Sequence, residues 1–311
     1  MRRRTALQTM AALGAATWSV SNRQSLMAEK PATDDSTPWL RKTLKVGMIK
    51  VEGTLEDKFR AAKAAGFEGV EVNTPGINVD AVNQASKATG LIVDGSVGGS
   101  HWNIRHSDPD PAVRADALAK LKQAIKETAD VGGDSCLLVV GHGKDGTPEE
   151  VYQRSSDNIR AALPTAERYG VSILVENVWN EFLYDKNGDS NQSVQPLADY
   201  IDQFDSPLVG LQFDLGNHWK FGDIAQWVRT LGPRIQKLDI KGFSRQTGKF
   251  TKVTEGDVDW PAIEAALREI NFRGWCAAEV AGGDAARLKE IAENMETALH
   301  CSVNQPQKAN G

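Results

Sequence analysis

Short apolar runs rich in β-branched residues alternate along most of the chain with longer segments whose apolar residues recur at helical spacing. The runs predict strands at residues 44–49, 69–72, 91–97, 136–140, 172–175, 209–213, 235–240 and 275–280. Near-continuous apolar strands are typical of parallel sheets whose faces are covered by helices. The strict alternation therefore predicts parallel strands that are joined through helices.

The segments between the runs carry the apolar stripe of amphipathic helices. In residues 110–133, Val113, Leu121 and Ile125 fall on one face, and two glycines end the segment. In a later segment Asp259 is placed as the N-cap, with Pro261 in the first turn. Eight such units in order predict an α/β fold, a (β/α)8 TIM barrel. An open dinucleotide-binding sheet is disfavoured, because no glycine-rich fingerprint follows the first run.

Composition and charge narrow the class of protein. The 311 residues are 41% hydrophobic and 25% charged, which is ordinary for a globular protein, and the net charge of −5 gives no basic footprint for nucleic acid. No apolar run reaches the ~18 residues of a membrane span, so we expect none. The three cysteines are too few and too scattered for a disulfide framework or a thiolate metal site. We predict one barrel domain over residues 40–300 and a disordered tail at 301–311.

The N-terminal segment differs from the rest of the chain. Three arginines are followed at once by a weakly apolar stretch, and the first acidic residue is Glu29. The pattern around Arg3 and Arg4 resembles a twin-arginine export signal, which carries folded cargo. We therefore predict that residues 1–39 are a signal peptide and a disordered linker, and that the protein is exported to the periplasm.

Four acidic residues follow the last four predicted strands, one for each strand. They are Glu176, Asp214, Asp239 and Glu279. In a TIM barrel the carboxyl ends of the strands share one face, where active sites lie. Four carboxylates brought together there would repel one another strongly without a cation. Oxygen ligands suit Mn²⁺ or Mg²⁺ better than Zn²⁺, so we predict one bound divalent metal ion.

Further polar and aromatic residues follow the predicted strands, and we predict that they bind substrate. They are Glu71, His101, Trp102, His142, Asn217, Lys241 and Arg245. Trp102 offers a stacking surface for a sugar ring, and His101 offers a hydrogen bond or a proton. Each acidic residue alone also has a structural interpretation, as a helix cap or a surface charge, and His101 has one as a loop histidine bonded to backbone. Asn177, beside Glu176, is expected to orient the metal ligands.

Several motifs carry a family resemblance that covers residues 44–299. They are "AAGFEGVEV", "GVSILVENV", "GLQFDLGNH", "KLDIKGF" and "EGDVDWPAIEAALREINFRGWCAAEV". With them the chain resembles the sugar phosphate isomerase/epimerase superfamily, whose barrel is xylose isomerase-like. The resemblance implies a (β/α)8 barrel with one divalent metal, held here by Glu176, Asp214, Asp239 and Glu279.

The chain departs from the epimerases of that superfamily at two positions. Their third ligand is usually a histidine in an H-x-K context, whereas Asp239 stands here and Lys241 keeps the lysine. The departure makes the site all-carboxylate, as in xylose isomerase itself. Asn217 replaces a histidine that follows the second ligand, and the arginine of the epimerases corresponds to Arg245.

The resemblance also implies a mechanism, which is proton abstraction next to a carbonyl through an enediolate. Glu176 and Glu279 would act as acid and base, and Lys241 or Arg245 would stabilise the developing charge. A sugar isomerase or epimerase is therefore the leading interpretation.

Two other functions stay open. A keto-sugar dehydratase or 3-keto-glycoside lyase would use the same kind of intermediate if a leaving group lay β to the carbonyl. A non-catalytic sugar-binding barrel is the third interpretation. The related abasic-site endonuclease is disfavoured, because five histidines and a net charge of −5 do not suit a multi-metal DNA site. The expected partner is a small sugar or keto-sugar, and the sequence is compatible with a homo-oligomer.

Overall fold

The computed structural model describes residues 38–301. Within them the strands are β1 Leu40–Leu44, β2 Gly69–Thr74, β3 Ile92–Gly98, β4 Ser135–Leu138, β5 Ser172–Glu176, β6 Val209–Asp214, β7 Ile235–Ile240, β8 Gly242–Ser244, β9 Lys249–Thr251 and β10 Gly274–Ala278. The α-helices are α1 Leu55–Ala64, α2 Val79–Thr89, α3 Pro111–Asp130, α4 Pro148–Tyr169, α5 Gln195–Asp202, α6 Ile224–Leu231, α7 Trp260–Glu269 and α8 Ala285–Leu299. Three short 3-10 turns are Val46–Met48, Gly143–Asp145 and Gly232–Arg234.

Eight of the strands form one parallel sheet in the order β1-β10-β7-β6-β5-β4-β3-β2. The two ends of this sheet meet, because a parallel bridge joins Lys45, just after β1, to Glu71 of β2. The predicted TIM barrel is thus confirmed. The remaining strands, β8 and β9, pair antiparallel in a hairpin that follows β7 and was not predicted.

The barrel strands separate an apolar outer layer from a polar interior. Along β7, Leu238 and Ile240 belong to the hydrophobic core, whereas Lys237 and Asp239 alternate with them. Lys237 reaches Glu71 of β2, a strand that is not its neighbour in the sheet, so its side chain crosses the inside of the barrel. Since side chains alternate along a strand, Asp239 faces the same interior.

The helices begin at the residues that cap them. Asp259 accepts a hydrogen bond from the backbone N–H of Ala262 at 3.0 Å, and Pro261 lies in the first turn of α7, which confirms the predicted start of that helix. Thr147 and Glu150 form a reciprocal capping box at α4.

The first strand lies upstream of its predicted position. Residues 44–49 were predicted, but β1 is Leu40–Leu44 and the apolar run that follows folds into the 3-10 turn Val46–Met48. Pairing with β10, in the register Leu40↔Gly274 to Leu44↔Ala278, decides the position of the strand. The sequence pattern does not reveal β1, because the charged residues Arg41 and Lys42 interrupt its apolar run.

The predicted signal and linker of residues 1–39 and the predicted tail of residues 301–311 lie almost entirely outside the described residues. No helix between residues 38 and 301 combines the length and apolar character that crossing a bilayer requires.

Candidate metal centre at the carboxyl end of the barrel

The four predicted acidic residues meet at one end of the barrel. Glu176 and Asp214 are the last residues of β5 and β6, Asp239 is the next-to-last residue of β7, and Glu279 follows β10 directly. Each contributes a carboxylate oxygen to a group whose members all lie within 4.8 Å of one another. The structure therefore brings together every residue that was predicted to bind the metal.

The sheet register forces these charges together. Asp214 and Asp239 are direct partners across β6 and β7, and like charges at such a position are destabilising. The backbone N–H of Glu279 donates to the carbonyl of Ile240 at 3.1 Å, which fixes Glu279 beside the end of β7. A fold that holds four acids in this way needs compensating positive charge.

Lys241 supplies part of that charge. Its Nζ lies 2.9 Å from Glu279 Oε2 and 3.2 Å from Asp214 Oδ2, and it donates to Asn217 Oδ1 at 3.1 Å. These two carboxylate oxygens are buried, yet neither has a hydrogen bond of satisfactory geometry. A buried oxygen that lacks a well-formed hydrogen bond keeps lone pairs that can bind a further partner, such as a metal ion.

Lys45, which was not predicted as a site residue, supplies a second positive charge. Its Nζ lies 3.0 and 3.2 Å from the two oxygens of Asp239 and 3.4 Å from Glu71 Oε2. Gln212 Nε2 donates to Asp239 Oδ1 and to Glu71 Oε1, both at 2.9 Å. An ionised carboxylate has about four lone-pair positions, so Asp239 can hold these partners and still face a cation.

A second group of ion pairs lies inside the barrel, beneath the four carboxylates and their lysines. Lys237 contacts Glu71 Oε1 at 2.8 Å and also Asp94, whose other oxygen accepts from Thr43 at 2.5 Å. Glu71 is fully buried, and both of its oxygens contact lysines of the barrel interior. Glu71 therefore belongs to the buried ionic network beneath the site, and its predicted role in substrate binding stays a prediction.

The contacts leave the region with an excess of negative charge. Six carboxylates (Glu71, Asp94, Glu176, Asp214, Asp239 and Glu279) face three lysines (Lys45, Lys237 and Lys241). Burial, and then repulsion by Glu279 and Asp239, raises the pKa of Glu176 well above its ordinary value. Burial likewise raises the pKa of Asp214 to about 6 and that of Asp239 to about 7, although Lys241 and Lys45 oppose the rise. A divalent cation would neutralise most of this excess.

The donor set fits the predicted ion. Glu176, Asp214, Asp239 and Glu279 offer oxygen only, which matches the preference of Mg²⁺ and Mn²⁺. The two buried oxygens without hydrogen bonds belong to this set. These four residues would hold the ion.

Two asparagines hold the predicted metal ligands in place through hydrogen bonds. Asn177 accepts from the backbone N–H of Asp214 at 2.7 Å and donates to its carbonyl at 3.0 Å, so it fixes the end of β6. The backbone N–H of Asn217 donates to Asp214 Oδ1 at 2.5 Å, and its side-chain amide lies 3.3 Å from Glu176 Oε1. Hydrogen bonds of this kind, from residues that do not themselves bind the metal, hold ligating carboxylates in one orientation.

His101 is a buried residue of the loop after β3, and its ring is neutral. Its Nδ1 accepts from the backbone N–H of Val139 at 3.2 Å, which leaves the ring proton on Nε2. Burial lowers the pKa of His101 to about 3, with the nearby charge of Lys45 acting in the same direction. Trp102 makes an edge contact with this ring and is half exposed. Both remain predicted substrate-binding residues.

Two other predicted residues have structural partners. The guanidinium group of Arg245 donates to the carbonyls of Trp219 and Gly222 and stacks on the Trp219 ring at 3.9 Å. These contacts hold the guanidinium group against the loop after β6, and a role of Arg245 in substrate binding stays a prediction. His142 caps the turn Gly143–Asp145 through its Nδ1, accepting from the backbone N–H of Lys144 at 3.1 Å, and it is half-buried.

The raised pKa values predict how ion binding depends on pH. Asp214 and Asp239, with pKa values of about 6 and 7, bind protons as the pH falls through this range, and a cation must displace those protons. We expect the apparent affinity for Mn²⁺ to fall at least about tenfold per pH unit below 6. Calorimetric titration at pH 8, 6.5 and 5.5, with circular dichroism to verify folding, checks this. An affinity that is constant over this range would contradict the assignment.

Comparisons with known proteins agree with the barrel. Residues 59–300 match the family model described as xylose isomerase-like TIM barrel. A 2-oxo-tetronate isomerase from Pectobacterium atrosepticum is 24% identical over 243 residues, which cover 75% of this chain and 89% of that protein.

Two solved structures illustrate the shared fold. The 3-keto-D-glucoside 4-epimerase from E. coli superposes with a TM-score of 0.69 at 18% identity, over 84% of this chain and 100% of that one. An L-ribulose 3-epimerase gives a TM-score of 0.69 at 19% identity, over 85% and 95% of the two chains. At these identities the likeness shows the fold.

Proposed function

Because the chain belongs to the xylose isomerase-like TIM barrel family, we propose that it is a divalent-metal-dependent sugar isomerase or epimerase that moves a proton on carbon next to a carbonyl group. The observation that carries the proposal is the cluster of four carboxylates at the catalytic end of the barrel. The names of its relatives, an isomerase and two epimerases, support the same class of reaction.

Glu176 and Glu279 are the proposed acid and base. Glu176 is the last residue of β5 and Glu279 follows β10 directly, and in the sheet the strands β6 and β7, with Asp214 and Asp239, lie between β5 and β10. A sugar held over the two aspartates therefore meets one glutamate at each side. A bound Mn²⁺ or Mg²⁺ would polarise the substrate carbonyl and so acidify the neighbouring C–H bond.

Lys241 and His101 are the proposed donors to substrate oxygens. The pKa of Lys241 is raised: burial opposes its charge, but Asp214 and Glu279 outweigh that effect, so the ammonium group stays protonated. His101 is neutral and carries its proton on Nε2, so it can donate a hydrogen bond but does not titrate near neutral pH. Fixed donors of this kind stabilise negative charge as it develops on oxygen.

Proton exchange in D₂O tests the proposal. Protein reconstituted with Mn²⁺ or Mg²⁺ is incubated with a panel of ketoses, keto-acids of the tetronate type and keto-glycosides, and NMR follows deuterium entering carbon. We expect exchange at the carbon next to the carbonyl, dependent on the metal and abolished by chelation. Exchange accompanied by an unsaturated or shortened product would assign the lyase class instead. Binding without exchange on any compound would favour the sugar-binding barrel and overturn the proposal.

A further inference from the structure

Three aromatic rings form a cluster at the mouth of the barrel beside the carboxylates. We call Trp179, Phe243 and Phe250 the aromatic platform. The rings of Trp179 and Phe250 have centroids 5.1 Å apart, and Phe243 lies 5.7 and 5.3 Å from them. Phe243 is fully buried, whereas Phe250 is 46% exposed and Trp179 is 37% exposed. The platform therefore presents two large apolar faces to solvent.

The β8–β9 hairpin holds the platform in place. Phe243 of β8 is the direct antiparallel partner of Phe250 of β9, so their side chains leave the hairpin on the same face. The buried ring of Phe243 thus supports the exposed ring of Phe250. The hairpin is not part of the barrel sheet. Its exposed aromatic face costs hydrophobic free energy in water, and such faces mark sites where a ligand binds.

Two residues, Lys241 and Asn217, contact both the aromatic platform and the carboxylates. Lys241 Nζ lies 5.2 Å from the centroid of the Phe250 ring, and the same atom lies 2.9 Å from Glu279 Oε2. On the other side, the indole N–H of Trp179 donates to the carbonyl of Asn217, whose own N–H donates to Asp214. A molecule seated on the carboxylates therefore continues directly onto the aromatic faces.

We propose that the aromatic platform is a subsite for a second ring joined to the reacting sugar, so that the substrate is a glycoside rather than a free monosaccharide. This inference rests on the proposed function, because it takes the carboxylates as the seat of the carbonyl-bearing sugar. The buried carboxylates, Lys241 and Asn217 offer polar contacts for that sugar. Phe250 and Trp179 offer flat apolar faces that match either an aromatic aglycone or the C–H face of a second sugar.

Matched glycosides test the subsite. Protein reconstituted with Mn²⁺ is titrated calorimetrically with methyl and phenyl β-glycosides of a keto-sugar, which keep a free ketone on the ring, and with β-linked disaccharides whose reacting ring carries the same ketone. We expect the two-ring compounds to bind about tenfold more tightly than the methyl glycoside of the same sugar, the size of effect that aromatic contact and burial give. A gain for phenyl compounds alone assigns an aromatic aglycone, and a gain for disaccharides assigns a second sugar.

Substitution of Phe250 locates the effect. In Phe250→Ala the preference for two-ring compounds should shrink to about threefold or less, while Phe250→Trp should retain it. Lys249→Ala is the matched control, since Lys249 is the exposed neighbour on the same strand and should keep the wild-type preference. Circular dichroism verifies folding of each variant, and Phe250→Trp keeps the test decisive if the alanine variant is unstable.

The failures of the two proposals are distinguishable. Equal affinities for one-ring and two-ring compounds, a preference that persists in Phe250→Ala, or the absence of glycoside binding would each overturn the subsite, even if a free ketose exchanges its proton. A preference that depends on Phe250, without exchange on any compound, would support the subsite and overturn the proposed reaction.

Discussion

Replacing Glu279 by glutamine is expected to lower the rate of carbon-bound proton exchange by about 10²- to 10⁴-fold, which is the range that a positioned acid or base contributes. Glutamine keeps the size of the side chain but neither accepts a proton nor carries charge to a cation. Glu176→Gln should lose activity to the same order, since Glu176 stands at the other side of the same cluster. The measurement is NMR exchange in D₂O with the metal-reconstituted variants.

Glu255→Gln is the matched control for these two substitutions. Glu255 is an exposed carboxylate between β9 and α7, and it does not belong to the metal-binding cluster. The proton-exchange rate of the Glu255→Gln variant should equal that of the wild-type protein. Wild-type exchange in either Glu176→Gln or Glu279→Gln would show that the cluster does not carry the chemistry.

The two variants should differ in the stability of the metal-free protein. Burial, followed by Glu279 and Asp239, raises the pKa of Glu176, so its ionised form destabilises the fold above the unfolded-state pKa. Glutamine removes that penalty, and the Tm should stay level or rise. Burial also opposes ionisation of Glu279, but Lys45 and Lys241 outweigh it and lower its pKa, so Glu279→Gln should lower the Tm at neutral pH. A fall in Tm for both variants would contradict this electrostatic assignment.

The barrel could be predicted from the sequence because seven of its eight strands coincide with apolar runs. The segments between these runs carry apolar residues at helical spacing. The first strand could not be placed in this way. Arg41 of β1 stacks on Trp275 at the start of β10, and Lys42 pairs with Glu296. These partners come from the far end of the chain, so local apolar pattern gives no signal for them.

The metal ligands could be predicted from strand ends, but the residues that support them could not. Gln212 stands two residues before Asp214, and Lys237 stands two residues before Asp239. Because side chains alternate along a strand, each polar residue faces the barrel interior below a ligand. A polar residue two positions before a predicted ligand, within an otherwise apolar strand, is the signal that could have located these supporting residues. Lys45 was missed because the first strand was placed across it.

The contacts of Arg245 could not be predicted from its position in the sequence. The strand β8 begins immediately after Lys241 and leads the chain into the hairpin, so the residues between Lys241 and Arg245 do not continue the barrel strand. The backbone N–H of Arg245 donates to Asp257 at 2.8 Å, and its side chain folds over Trp219. The hairpin also brings the ring of Phe250 to 5.2 Å from Lys241 Nζ.

Replacing Lys237 by methionine is expected to lower the free energy of unfolding by about 3–5 kcal/mol, the cost of removing one partner from a buried ionic group. Lys237 is 2% exposed and faces both Glu71 and Asp94. Methionine fills the space but leaves two buried carboxylates with less compensation. Guanidinium chloride unfolding of the metal-free protein measures the change. Lys252→Met, which breaks an exposed ion pair with Glu290, is the control and should unfold nearly as the wild type does.

The pH dependence separates this cause from a packing defect. Burial opposes ionisation of Glu71, but Lys237 and Lys45 outweigh it and lower its pKa to about 2. In the wild type this stabilisation is present above the unfolded-state pKa and is lost as the pH falls towards 2. In Lys237→Met the carboxylate takes up a proton more readily, so lowering the pH from 7 to 5 should reduce the difference between the two proteins. A difference that stays constant over that range would assign the loss to packing around residue 237 and not to the uncompensated charge of Glu71 and Asp94.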